Sequence, residues 1–230
     1  MLKWLARLTG PHDPDTRDAH ARLQVYPPYD APHAGPQTRW TLAQAQDNLD
    51  HLMRHRAHRM VVLGDWLRPE GIDIRPALVG GNPQPLLDAL HQWANARWPA
   101  WHDPAIAHRD VWLRGHRSGN AVVYSLLLDV TLLLGELIVQ RHDGYRWALD
   151  LDEENGRDGM RSYRRAVLEL PARGHMPAPI VLDLEDMVVS RYLHPEYVSN
   201  QFRNVWAEVV GSAISGDQEA AWAEAPGAPR

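Results

Sequence analysis

AVVYSLLLDVTLLLGELIV, residues 121–139, is the one long apolar stretch in the chain, and its reading decides how the rest must be arranged. The run approaches membrane-spanning length, but Asp129 and Glu136 stand inside it, and two carboxylates in hydrocarbon are costly. No membrane span is expected. The wealth of leucine outweighs the β-branched Val122, Val123, Val130, Ile138 and Val139, so the stretch is predicted as a buried helix opened by Ser118-Gly-Asn120 and closed by Asp143-Gly144. On a helical wheel Ser125, Asp129, Glu136 and Gln140 fall within about 60° of one another, a single polar stripe on an apolar cylinder. Such a stripe is either a narrow strip open to water or the wall of a cleft whose carboxylates are raised in pKa by burial.

On the N-terminal side, Leu42, Ala45, Leu49, Leu52, Met53, Met60, Leu63 and Leu67 share one face at 100° per residue. They predict an amphipathic helix from Thr41 to Arg68, closed by Pro69 and Gly71, with Arg56 in the apolar sector either a buried ion-pair partner or, the favoured reading, snorkelling its head to the edge. Asn82-Pro83 opens a second helix, with Leu86, Leu87, Leu90, Trp93 and Ala94 on one side, expected to stop at Pro99. Trp93, Trp98, Trp101 and Trp112 are read as core packing and anchoring.

On the C-terminal side the period changes to two. Tyr145, Trp147, Leu149 and Leu151 alternate with Arg146, Ala148, Asp150 and Asp152, which predicts a half-buried strand. After the loop EENGRDGM, RSYRRAVLEL is the expected hairpin partner, with Arg161, Arg164 and Arg165 facing the acidic end of the first strand. Ile180–Leu182 adds a short third strand, and Asp183 with Asp186 caps a helix ending before Pro195. A final helix is predicted from Phe202, Val205, Trp206, Val209, Val210 and Ala213, capped by Ser199 and stopped at Gly216. The fold class is therefore α+β, predominantly helical, with a small antiparallel hairpin or three-stranded sheet in the C-terminal half. Residues 1–40 read as an irregular arm, 41–215 as one globular domain and 216–230 as a flexible tail.

The 230 residues carry 24 Lys plus Arg against 29 Asp plus Glu, a net charge of −5, and no cysteine. Without cysteine there is no disulfide framework, thiolate metal site or thiol nucleophile. Only one of the basic residues is lysine, a skew that points to a GC-rich bacterial genome more than to a functional arginine array. The opening MLKWLARLTG is too short in apolar residues for a secretory leader, so a cytoplasmic location is expected; its amphipathic pattern reads as docking onto the domain.

His51, His55 and His58, preceded by Asp47, sit at helical spacing that would suit a metal ion, but the wheel puts them opposite the apolar face. DLDEENGRDG places Asp150, Asp152 and Glu154 as a calcium loop would, yet has Asn155 at the turn position and Arg161 in place of the closing glutamate. No Gly-rich phosphate loop or nucleophile elbow is present, no cofactor is indicated, and no concentrated basic surface suggests nucleic acid. Charge is uneven: residues 1–115 hold 13 basic and 12 acidic side chains, residues 116–230 hold 11 and 17. Asp150, Asp152, Glu153 and Glu154, with Asp183, Glu185 and Asp186, form an acidic edge suited to a basic protein partner. The expectation is a non-catalytic interaction protein, in its most concrete form one of the immunity or antitoxin kind. The rival reading is a metal-dependent hydrolase using the histidine row or the Asp129/Glu136 stripe.

Overall fold

The structure, a computed structural model, describes residues 20–173, 176, 178–217 and 220. The N-terminal amphipathic stretch and most of the expected C-terminal tail lie outside the described residues.

The long apolar run forms helix α5, Val123–Val139, entered through a 3-10 turn at Gly119–Ala121. Every residue from Val123 to Ile138 is buried, so this helix has no water-facing side at all. The stretch Gly119–Val139 is long and apolar enough to cross a membrane by length and composition, and 94% of its most apolar window is buried inside the protein. Its neighbours supply that cover. Helix α1, Leu42–Leu67, helix α7, Leu184–Leu193, and helix α9, Val205–Ser215, pack directly on it. Between them come α2, Arg75–Leu78, α3, Gln84–Trp101, α4, Arg109–Leu113, α6, Glu153–Arg157, and α8, Val198–Phe202. Three short strands, β1 Arg146–Leu149, β2 Ala166–Leu170 and β3 Ile180–Leu182, form an antiparallel sheet in the order β1-β2-β3. The architecture is α+β and predominantly helical, as the periodicities indicate.

Local chemistry sets most boundaries. Thr41 accepts from the Gln44 backbone N–H while Gln44 caps the Thr41 N–H in return, a reciprocal pair that starts α1. Its inward face is Ala45, Leu49, Leu52, Met60, Leu63 and Leu67, whereas Leu42 in the first turn is exposed. Segment 26–40, largely irregular, is strapped to α1 by Asn48, which accepts from the His33 N–H and donates to the His33 carbonyl.

Helix α5 stops at Val139, short of Asp143-Gly144, β2 starts only at Ala166, and three further boundaries differ from expectation. Helix α3 runs through Pro99 to Trp101, because only Ala100 and Trp101 remain beyond the proline and burial of Trp98 and Trp101 holds it. The loop EENGRDGM contains α6, capped by Asp152. The last helix is broken in two: Asn204, not Ser199, caps α9 by accepting from the Ala207 N–H, and donates to the Leu87 carbonyl, so Phe202 falls outside the stripe and is exposed.

The sheet meets α5 through one close contact. A Cβ on Gly135 would lie 2.1 Å from Trp147 of β1, so the indole occupies the space that any side chain there would need. Trp147 also donates its indole N–H to Glu136 at 3.1 Å. Gly135→Ala is expected to destabilise the protein by about 1–3 kcal/mol through overpacking, with a strongly non-additive recovery when Trp147→Ala is added. Urea unfolding of the two single variants and the double variant measures this.

Candidate functional site

The polar stripe of α5 is neither an open strip nor a cleft wall, because the first part of the chain covers it. Ser125 and Asp129 are fully buried. Ser125 Oγ accepts from the Tyr29 N–H and donates to the Arg117 carbonyl, both at 2.8 Å. Asp129 receives Arg59 as a fork, Nε to Oδ1 at 2.8 Å and Nη2 to Oδ2 at 2.7 Å, and the Tyr26 hydroxyl also donates to it. Arg59 Nη2 and Nη1 then donate to the carbonyls of Pro27 and Pro28. One guanidinium thus ties α1, α5 and the 26–29 strap together. Glu136 lies farther along, held by Trp147 and by an ion pair with Arg56 at 3.2 Å. Gln140 caps the helix C-terminus and is exposed.

Burial pushes the Asp129 carboxyl up to about 6 even though Arg59 and Tyr26 favour its charged form. Burial and the nearby Asp129 charge also push the Tyr26 hydroxyl well above its usual value, so it remains a donor.

A second buried group joins the hairpin to α7. Glu185 accepts from Arg117 at 2.6 Å, from Arg165 at 2.7 Å and from the Trp112 indole N–H at 3.0 Å. Arg165 lies over the Trp112 ring at 4.2 Å and also faces Asp183 at 3.6 Å. Burial acts to raise the Glu185 pKa, but the two arginines and the indole hold it down to about 2. Asp183, which caps α7 through the Asp186 N–H, is raised by burial. Arg161 pairs with Asp186 at 3.0 Å. Beside this group lies a cavity of about 70 Å³, bounded among others by Tyr29, Asn48, Arg117 and Glu185. That volume is far below the roughly 300 Å³ at which small-molecule sites begin.

The acidic edge is therefore divided. Glu185 is buried, and Asp183 and Asp186 are half-buried against arginines. The hairpin arginines answer these acids of α7, while Arg164 turns away to the Trp40 carbonyl; they do not face the acidic end of β1 across the ladder. Asp150 is also buried, its Oδ1 accepting from the Asp152 N–H and its Oδ2 from Asn155. Asp152, Glu153 and Glu154 are exposed on the turn of α6. The histidine row is not assembled around one point: His51 and His55 stack with centroids 4.1 Å apart, His55 Nδ1 meets the His51 carbonyl, and Asp47 pairs with His33. Among the described residues no three His, Asp or Glu side chains are grouped to hold a metal ion.

Sequence reasoning missed Arg59, Tyr26 and Arg117. A signal for Arg59 was present, since it stands seven residues, nearly two full turns, after Leu52 and so belongs to the inward side of α1. Comparison with protein-family models, with curated proteins and with solved structures gives no match to this chain.

The Glu185 group makes stability pH-dependent with a definite sign. Its folded pKa lies below its ordinary 4.5, so its contribution is complete above 4.5 and is lost as pH falls toward 2, about 3 kcal/mol in all. Asp129 has the opposite sign: its raised pKa favours the folded state below 3.8, an advantage lost as pH rises through 6. Glu185→Gln is expected to cost about 3–5 kcal/mol at pH 7 by leaving buried arginine charge uncompensated. That deficit shrinks between pH 4.5 and 2, as urea midpoints across the range would show.

Proposed function

We propose that the chain acts by binding a basic protein partner through the tip of the β1–β2 connection. The observation that carries this reading is the construction of that tip. Asp150 anchors it from within, its backbone N–H donating to the Arg165 carbonyl and its own carbonyl accepting from the Arg164 N–H at 2.7 Å. The side chain of Asp152 caps α6 by accepting from the Glu154 N–H. Gly156 lies so close to the Tyr163 ring that a Cβ there would come within 2.9 Å. On this fixed base stand exposed carboxylates, Glu153, Glu154 and Asp158, beside two exposed apolar side chains, Leu151 at 48% and Met160 at 51%.

Acidic and apolar groups displayed together on a fixed turn suit a partner that offers arginine or lysine around an apolar contact. Carboxylates steer the encounter, and the apolar pair supplies area that desolvates on contact. At the tip Glu154 meets the exposed Arg157 at 3.5 Å, whereas Asp129, Glu136, Glu185 and Asp186 are held by arginines within the fold, which supports a binding role for the tip over acid–base work by the stripe. A neutralising protein for a basic toxin, of the immunity or antitoxin kind, is the most concrete form of this proposal.

Charge reversal at Glu153, Glu154 and Asp158 spares both anchors, Asp150 and Asp152. The triple lysine variant is expected to keep its stability within about 1 kcal/mol, as surface changes do. Wild-type protein used as bait in lysate from its own cells, with mass spectrometry of what is captured, should retain a basic protein that the variant loses and that raised salt releases. Capture of the same proteins by both baits would overturn the proposal.

A further inference from the structure

A second feature lies away from the tip, where α3, the end of α7 and segment 195–201 enclose a cavity of about 290 Å³. Its wall includes Asn95, Trp98, Pro99, Arg191, Pro195 and Gln201. Arg191 is 8% exposed and lies over the Trp206 ring at 4.3 Å, with Trp98 at 5.8 Å.

This arginine differs from the other buried arginines described above. Arg59 has Asp129, and Arg165 has Glu185. The three hydrogen bonds of Arg191 all leave from Nη2 and all end on neutral acceptors: the His91 carbonyl at 3.1 Å, Asn95 Oδ1 at 2.7 Å and the Asn200 carbonyl at 3.4 Å. Among the described residues its Nε and Nη1 have no acceptor and its charge has no carboxylate. Burial with nothing to offset it lowers its pKa to about 10, which leaves it protonated at neutral pH. Buried charge without a counter-charge is costly, and a bound anion removes that cost.

The indole N–H of Trp98, in the same cavity wall, is buried and has no acceptor. Trp66, Trp93 and Trp101 also have buried unpartnered indoles, but they do not line this cavity.

We propose that this cavity binds a small organic carboxylate, one oxygen taken by an unpaired Arg191 nitrogen, Nε or Nη1, and its carbon body set against Trp98, Pro99 and Pro195. A charge-assisted N–H···O bond from a guanidinium to a carboxylate is roughly twice as strong as one between neutral groups. At about 290 Å³ the cavity lies just under the range of roughly 300–1,000 Å³ that drug-sized ligands fill, which limits the ligand to a few carbons. The wall sets Ala94, Trp98, Pro99 and Pro195 beside one cation and the amides of Asn95, Asn200 and Gln201, and the Asn95 and Asn200 amide nitrogens already meet His91 and the His194 carbonyl; this favours a monoanion with a hydrocarbon part over inorganic phosphate, whose denser charge needs more donors.

Isothermal titration of the full chain with sodium butyrate, with sodium phosphate and sodium chloride at matched ionic strength as separate arms, tests the assignment. Butyrate is expected to bind saturably with one site, chloride not at all, and phosphate at least tenfold more weakly. Arg191→Met should weaken butyrate binding at least tenfold. Gln201→Trp, at an exposed position on the cavity wall, should block binding while leaving Arg191 in place, and it decides the matter if Arg191→Met fails to fold. Absence of saturable butyrate binding, phosphate binding as tight as butyrate, or unchanged affinity in Gln201→Trp would each overturn the proposal.

Discussion

The ion pair between Arg59 and Asp129 is the interaction on which the arrangement of the N-terminal half depends. A carboxylate in the middle of a helix buried on every side cannot reach water, so its charge has to be met by groups brought from elsewhere in the chain. Arg59 comes from α1 and Tyr26 from the strap, and the remaining guanidinium donors go to Pro27 and Pro28. Proline offers a carbonyl but no N–H, so consecutive prolines present acceptors without leaving donors to be satisfied in turn. A segment with no secondary structure of its own is held by the same charge that α5 requires. Removal of either partner would leave the other ion buried alone, which costs more than the pair itself contributes.

The two buried acids show how the number of cations decides the sign of a pKa shift. Asp129 has one arginine, and desolvation prevails; Glu185 has two arginines and an indole N–H, and they prevail over a burial just as complete. The difference has a structural origin. Asp129 sits in the middle turns of α5, where space for partners is set by one facing helix and the strap. Glu185 sits in the first turn of α7, open to Arg117 from the approach to α5 and to Arg165 from the end of the hairpin. First-turn acids also benefit from the helix dipole. The β sheet is consequently fastened to the helical body by charge at Glu185 and by close packing at Gly135 and Trp147.

The elements were legible in the sequence wherever period and cap agreed. The leucine-rich run, the Thr41 start and the Asp183 cap depend on neighbours within a few residues, and the structure follows them; the period-two run keeps its strand only over Arg146–Leu149, after which Asp150 turns inward and Leu151 outward. What could not be read is what crosses the fold. The stripe of α5 is visible on a wheel, but its cover comes from residues about 70 to 103 positions away, and nothing local says that a proline-rich strap will lie on it. Arg56 is conspicuous in the apolar sector of α1, yet Arg59, one turn later, meets the more deeply buried acid. Phe202 continued the period of the last helix and still fell outside it, because Asn204 bonds to α3 as well as to its own helix. For the acidic edge, the sequence located the charges and left open which were exposed, since burial of Asp150 and Glu185 is decided by where the hairpin docks.

Charge asymmetry along a chain is therefore a poor map of charge on the surface until the internal pairs are assigned. Arg56 and Arg59 belong to the first half and neutralise Glu136 and Asp129 of the second, which moves the halves from +1 and −6 to −1 and −4. Within the second half, Arg117, Arg161 and Arg165 cancel Glu185, Asp186 and Asp183 in place. Acidity that survives this accounting includes the α6 turn, which is also where apolar side chains stand exposed. With the sign reversed, Arg191 is a buried positive charge that has no acid among the described residues. Both features are what internal pairing leaves over, an acidic turn facing outward and a cation at the wall of a cavity.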